Sequence, residues 1–149
     1  MPWFNVMLNR MLSEQEVVAV MKDVLDVKGE NIKATKESIV TAEIDEHLQV
    51  FCWLIPRPGD FPLDIEVIYL DEKLPPQEAI LIADQICGRL ECLGLVIDRS
   101  SNPYSYILLS GRSKYQHVIV DDVEGDEADG VQIISFLEHL SLDDILGGS

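Results

Sequence analysis

The spacing of apolar residues changes period several times along this chain, and each change predicts an element. Trp3, Phe4, Met7, Leu8 and Met11 form a partial i, i+4 stripe that fits either a short helix or a strand leading into a turn. Ser13-Glu14-Gln15-Glu16 then has the form of a capping box, with Leu12 and Val17 placed as a hydrophobic staple. Val17, Val20, Met21 and Val24 follow at helical spacing, predicting a helix from about Glu14 to about Val27, with Gly29 as its stop. Ser38–Ile44 alternates with Val40, Ala42 and Ile44 on one face, the period of a strand. Leu48–Ile55 carries the unbroken run Val50-Phe51-Cys52-Trp53-Leu54-Ile55, which predicts a strand covered on both faces. After Pro56, Pro58, Gly59 and Pro62, alternation resumes in Leu63–Leu70.

Pro75-Pro76 opens a second predicted helix, since proline is tolerated in the first turn, and Ala79, Ile82, Ala83, Ile86, Cys87 and Leu90 form its apolar stripe. Leu93-Gly94-Leu95 fits a glycine C-cap. An extended stretch at Leu95–Ile97 leads to a hairpin of Tyr104–Leu109 and Tyr115–Val120 around Ser110-Gly111-Arg112-Ser113. Val131, Ile134, Leu137 and Leu140 repeat every third residue and predict a third helix; Ser141-Leu142-Asp143-Asp144 caps one more turn. The expectation is a single α+β domain over residues 1–149, in the order α-β-β-β-α-β-β-α. Its sheet has five or six antiparallel strands with helices mainly on one face, and residues 147–149 form a flexible tail. Val40, Ala42, Val50, Cys52, Leu54, Ile65, Val67, Ile82, Ile86, Leu90, Leu108 and Ile119 are its expected core.

Charge alters this picture more than composition does. Hydrophobic residues make up 47% of the chain and the mean hydropathy is +0.10, ample for a core, so the net charge of −16 belongs to a folded protein. Nine carboxylates lie between Asp121 and Ser149 with no Lys or Arg among them. Such a field repels phosphate backbones and anionic lipid and favours basic partners, so nucleic acid and membrane surfaces are set aside. Cys52, Cys87 and Cys92 are odd in number, form no C-x-x-C pair and sit in apolar patterns. They read as reduced, mostly buried thiols, with Cys87 and Cys92 on different faces of one helix. The chain shows neither the charge order of a secretory signal nor an apolar run of ~20 residues, and a cytoplasmic location is expected.

Candidate chemistry is sparse. The acidic loop, residues 121–130, has carboxylates near EF-hand spacing, but no frame supplies both the central glycine and a terminal Glu, so a solvated turn is expected. His47, His117 and His139 share no short ligand spacing, and no metal or cofactor is predicted. Phosphate-binding glycine loops and a G-x-S-x-G elbow are absent, and Gly111-Arg112-Ser113-Lys114-Tyr115 is a small basic-aromatic patch on a hairpin turn. The opening Met1-Pro2-Trp3-Phe4-Asn5-Val6 resembles tautomerase N-termini, where an N-terminal proline acts as a base; the paired β-α-β units of that family are not predicted to follow. The element order, small size and low pI resemble the secretion-chaperone type of fold, at the level of order and charge alone.

These readings converge on a non-catalytic acidic protein-binding module, chaperone-like or an adaptor, whose partner is another protein with a basic surface. Residues 1–12 are the expected docking segment through Trp3, Phe4, Met7 and Met11, unless they pack on the protein's own sheet or in a homodimer interface. Asp121, Asp122, Glu124, Asp126, Glu127 and Asp129 are the expected electrostatic contacts. Two alternatives stand beside this reading. One is an immunity protein or nucleic-acid mimic that inhibits a basic target; the other is a small enzyme with Pro2 as base.

Overall fold

A computed structural model describes residues 3–72, 78–98 and 100–146. The chain opens with strand β1 (Trp3–Leu8), which resolves the first ambiguity in favour of extended backbone. Helix α1 (Glu14–Leu25) begins where the capping box places it. The Glu16 amide donates to Ser13 Oγ and the Ser13 amide to Glu16 Oε1, both at 3.1 Å, so two of the donors left free at the helix start are satisfied reciprocally. A single 3-10 turn at Gly29–Asn31 leads into β2 (Ile32–Thr35). Strands β3 (Val50–Pro56) and β4 (Leu63–Tyr69) follow, then α2 (Ala79–Leu90). The proline opening predicted for α2 falls on residues 73–77, outside the described residues. The chain continues through β5 (Gly94–Ile97), β6 (Ser105–Leu109), β7 (Tyr115–Val123) and β8 (Gly130–Leu140), and α3 (Leu142–Leu146) follows.

Eight strands form one mixed sheet in the order β2-β3-β4-β1-β5-β6-β7-β8. The only parallel pair among them is β2–β3, and the rest are antiparallel, so the expected five or six antiparallel strands become eight, one pair of them parallel. The fold begins β-α-β, but β1 and β2 are separated in the sheet by β3 and β4. The two strands run parallel, so this is a split β-α-β unit rather than one of adjacent strands, and Pro2 lies outside the described residues.

Alternation along the strands divides the core in two. One face carries Phe4, Val6, Leu8, Val50, Cys52, Leu54, Ile65, Val67, Ile107 and Leu109, against which α1 packs Val17, Met21 and Val24 and α2 packs Ile82, Ala83 and Ile86. The other face carries a smaller cluster of Met7, Leu95, Val118, Val120 and Val131, closed over by Phe61 from the β3–β4 loop. No helix of the described residues is long and apolar enough to cross a membrane.

Three expectations are corrected. Ser38–Ile44 is a turn-rich connection, not a strand, and Val40 is 89% exposed. The strand is instead the four-residue Ile32–Thr35, while the connection spans the parallel crossover and is tied down by Trp53 Nε1 donating to the Lys36 carbonyl (3.2 Å) and Lys33 Nζ to the Glu43 carbonyl (2.8 Å). Gly94 is not a helix cap but the first residue of β5; α2 ends at Glu91, left-handed at φ 52°, and α1 ends in the same way at Asp26, φ 54°. Both ends place a non-glycine residue where glycine is usual, which hid them from a pattern search.

The third predicted helix is strand β8. Its eleven residues face the nine of β7, and the register slips by one between Gln116 and Val118 and again between Ile119 and Val120. Each slip is a β-bulge that adds a residue to β8, so a period of two is stretched locally towards three. That imitates a helical stripe. Among the expected core residues, Leu108 packs on the smaller cluster and Ile119 is half-buried, which leaves Ile107 and Leu109 on the helix-covered face.

Leu54, 2% exposed between the sheet and the helices, is expected to cost about 2–5 kcal/mol when replaced by Ala, measured by denaturant unfolding. Ser13→Ala should cost about 1 kcal/mol in the same assay through loss of the cap.

Candidate functional site

The features that stand apart from simple core packing gather on the β7–β8 hairpin, at the edge of the sheet. The hairpin is built from alternating β-branched and apolar residues, Val118, Val120, Val131 and Ile133, which pack on the face away from the helices. Its turn end is locked to the β3–β4 loop. The Asp60 amide donates to the Val131 carbonyl at 3.3 Å and Arg57 Nη1 to the Asp129 carbonyl at 2.7 Å. Gly130 is required here, because a Cβ on it would lie 1.8 Å from the Pro58 carbonyl oxygen.

Arg57 has a second role. Its Nε donates to Asp64 Oδ2 at 2.8 Å, and Asp64, 3% exposed, also accepts from Asn5 Nδ2 at 3.2 Å. One guanidinium thus neutralises a buried carboxylate on β4 and caps a carbonyl in the hairpin turn. Glu66 beside it is held above the ordinary carboxylate range, first by burial and then by the Asp64 charge.

The predicted electrostatic residues lie on this hairpin. Asp121 and Asp122 belong to β7 rather than to a loop, so the acidic loop shortens to the turn between Val123 and Gly130. Asp121, Asp122, Glu124, Asp126, Glu127 and Asp129 are all exposed. Asp129 Oδ1 accepts from the Gly125 amide at 3.3 Å, which shapes the turn. Among the described residues no group of three or more His, Cys, Asp or Glu side chains converges as a metal site.

The predicted docking segment is divided. Phe4 and Met7 are buried on opposite faces of the protein's own sheet and offer no surface, whereas Trp3 (63%) and Met11 (47%) are exposed. The larger apolar surface lies elsewhere. Cross-strand register aligns Ile97, Tyr106, Val118 and Phe136 in one row across β5, β6, β7 and β8, on the face away from α1 and α2. Ile97 and Phe136 are about 60% exposed at its ends (59% and 61%), and Ile134 projects from a bulge beside it at 60%. Strand β8 is the sheet's edge, and among the described residues its outer side is met at Gly130 and Val131, by Pro58 and Gly59. The row is invisible in the sequence because its members come from four separate strands.

A polar cluster braces the same hairpin from the helix side. Ser105 Oγ donates to Asp98 Oδ2 at 2.7 Å and is in contact with His117 Nε2, while His117 Nδ1 stands 3.0 Å from Glu138 Oε1. The cluster joins β5–β6 to β7 and β8 next to a cavity of about 560 Å³ lined by Ile80, Val96, His117, Glu138, Leu140 and Ile145, among others. Serine, imidazole and carboxylate in that order suggest a nucleophile with its base. Ser105, however, is only 2% exposed, does not line the cavity, and has its hydroxyl hydrogen engaged by Asp98. The group therefore acts as a cross-strand pin. Glu138 is held below the ordinary carboxylate range, chiefly by its own backbone amide and next by His117. Sequence reasoning missed this cluster, since bulge register alone brings Glu138 to His117.

No protein-family model matches the chain, nor does any curated protein by sequence or any solved structure by fold.

Two outcomes follow from the site's geometry. Arg57→Ala leaves Asp64 buried without its cation and should cost about 3 kcal/mol in a denaturant melt. Because the Glu138 pKa is lowered on folding, its contribution to stability is present above its ordinary value of 4.5 and is lost as pH falls through the lower folded value. The melting temperatures of wild type and Glu138→Gln should differ at neutral pH and converge in acid below that range.

Proposed function

We propose that this protein is a non-catalytic binding module, chaperone-like or an adaptor, that receives an apolar segment of a basic protein on the uncovered face of its sheet. The observation that carries the reading is the cross-strand row Ile97-Tyr106-Val118-Phe136, solvent-facing at both ends, beside a hairpin of exposed carboxylates. Large apolar side chains held in water on a rigid sheet favour contact with a partner, and aromatic anchors carry much of the energy of such contacts. The bulges in β8 break the regular ladder that strand addition requires, so docking through side chains is favoured over pairing at the edge. The carboxylates supply approach and selectivity: no Lys or Arg lies between Asp121 and Ser149 to oppose them. A reducing cytoplasm suits the three free thiols.

The test uses synthetic peptides of alternating apolar and Lys/Arg residues, with Glu-substituted controls, read by fluorescence anisotropy and stopped flow. The basic peptides should bind and the acidic ones should not. Phe136→Ser with Ile97→Ser should weaken binding about tenfold or more, chiefly through faster dissociation. Replacing Asp121, Asp122, Glu124, Asp126, Glu127 and Asp129 by their amides should instead slow association, and wild-type binding should weaken as salt shortens the screening length to ~8 Å. Equal binding of both peptide classes would overturn the reading. Dependence on the carboxylates with none on Phe136 would favour a phosphate-mimicking inhibitor, and self-association lost with Phe136→Ser would make the row a homodimer interface.

A further inference from the structure

We infer that Cys87 and Cys92 are a redox pair: Cys92, lining a cation-edged cavity, reacts with a hydroperoxide and then closes a disulfide onto Cys87. The pairing arises from the way α2 ends. A continuous helix would point residues five apart in different directions, but Glu91 is left-handed and turns the chain back, so that the Cys92 amide donates to the Cys87 carbonyl at 3.1 Å. The same turn folds Cys92 back against Cys87, and the interaction between their side chains is the largest influence on the acidity of both thiols. Cys87 Sγ is fully enclosed and occupies the space beside Gly94, where a Cβ would lie 2.6 Å from the sulfur. Any larger residue at position 94 would displace Cys87.

Cys92 lines a cavity of about 790 Å³ whose rim carries Arg10, Arg112 and Lys114 against the single carboxylate of Glu91. Three of the chain's eleven basic residues therefore converge on one cavity of a strongly acidic protein. Their carriers are fixed. Arg10 Nη1 donates to the Leu90 carbonyl at 2.9 Å. The turn bearing Arg112 is held by buried Asp84, which accepts from the Gly111 amide (2.9 Å) and the Ser113 amide (3.1 Å). Gly111 packs directly on α2, where a Cβ would come 2.1 Å from the Gly88 nitrogen. The Cys92 thiol is held below its ordinary range, first by the hydrogen bond from Cys87 and further by the Arg10 charge, against the opposing effect of burial. Cys87 is pushed up by the same hydrogen bond and by burial, and burial alone pushes the isolated Cys52 up to about 12. Cys92 is 8% exposed and is reached only where it lines this cavity; a thiolate in such an electropositive site is the reactive form, whereas the fully enclosed Cys87 is inert until a partner sulfur is presented to it.

The chemistry balances in two steps. The Cys92 sulfur attacks the hydroperoxide, the O–O bond breaks, and the departing oxygen leaves as water or an alcohol after taking a proton, which gives a sulfenic acid. The Cys87 sulfur then displaces the hydroxyl from Cys92; the S–S bond forms, the S–O bond breaks, and the Cys87 proton leaves with the hydroxyl as water. Two thiols are oxidised and one hydroperoxide is reduced.

The test treats the folded protein with hydrogen peroxide, blocks remaining thiols by alkylation and reads intact mass and peptide maps. The expected result is a mass loss of about 2 Da before alkylation, a Cys87–Cys92 link and a fully alkylated Cys52. Arg112→Gln with Lys114→Gln should slow the reaction about threefold, through loss of the local positive field. Cys87→Ser should leave a sulfenic acid on Cys92 that dimedone traps. Should that variant fold poorly, the wild-type peptide map still decides the question. Three alkylatable thiols remaining after peroxide, oxidation of Cys52 at the same rate, or a sulfenic acid on Cys92 in wild type with no disulfide would each overturn the proposal.

Discussion

Strand β1 enters the middle of the sheet, and the rest of the architecture hangs on how it is held there. It pairs with β4 over six residues and with β5 over only two, Met7 with Leu95 and Leu8 with Gly94. The β2-β3-β4 half and the β5–β8 half of the sheet therefore meet along a single strand, narrowly joined on one side. Val6 and Leu8 are fully buried at this junction, and α2 lies over it in contact with β1, β5 and β6. Main-chain hydrogen bonding alone is too limited at the β1–β5 seam to unite two half-sheets. Burial of Val6 and Leu8 in one cluster with Ile82, Ile86 and Cys87 of α2 supplies the remainder. Gly94 permits the close approach, since a side chain there would strike Cys87 and Val6.

The two faces of the sheet consequently have different fates. Both long helices pack on one face, and the other is covered only in part, by Phe61 and its loop over one cluster and by the 36–49 connection near Trp53. An antiparallel sheet tolerates one wet face, provided that its outward residues are polar. Here Asn5, Asp64 and Glu66 meet that requirement near Arg57, while Ile97, Tyr106 and Phe136 depart from it towards the β8 edge. The departure is local, and it coincides with the bulged strand and the exposed carboxylates.

Charge is organised on the same plan. With a net charge of −16, mutual repulsion disfavours the compact state, and the few cations are used where they relieve a specific cost. Arg57 neutralises Asp64 and pins the acidic hairpin through a carbonyl rather than a side chain, so its charge is not spent on the carboxylates of the turn. Arg10 closes the carbonyl end of α2 and, with Arg112 and Lys114, surrounds Cys92. A uniformly acidic surface would hold a thiol protonated; this clustering produces the opposite environment at one point.

Local physics was legible in the amino-acid order. The Ser13–Glu16 box, the apolar run of β3, the alternation of β4 and the β6–β7 hairpin are governed by contacts within a few residues, and they appear where those contacts require. The same local rules misread β8, because two bulges against β7 lend a strand the spacing of a helix, and they missed β2, whose four residues acquire their strand character from pairing with β3. Cys87 and Cys92 looked divergent for an allied reason: a left-handed Glu91 carries no glycine signal, yet it reverses the direction of the chain. The binding row and the histidine brace are further from reach, since they join residues of separate strands whose register is set by burying the whole core at once. By itself the sequence determined the elements whose stability is local, together with the charge they carry. Tertiary structure decided which strands became neighbours, which face stayed wet and which side chains met, because those choices minimise the free energy of the assembled sheet and of no single segment.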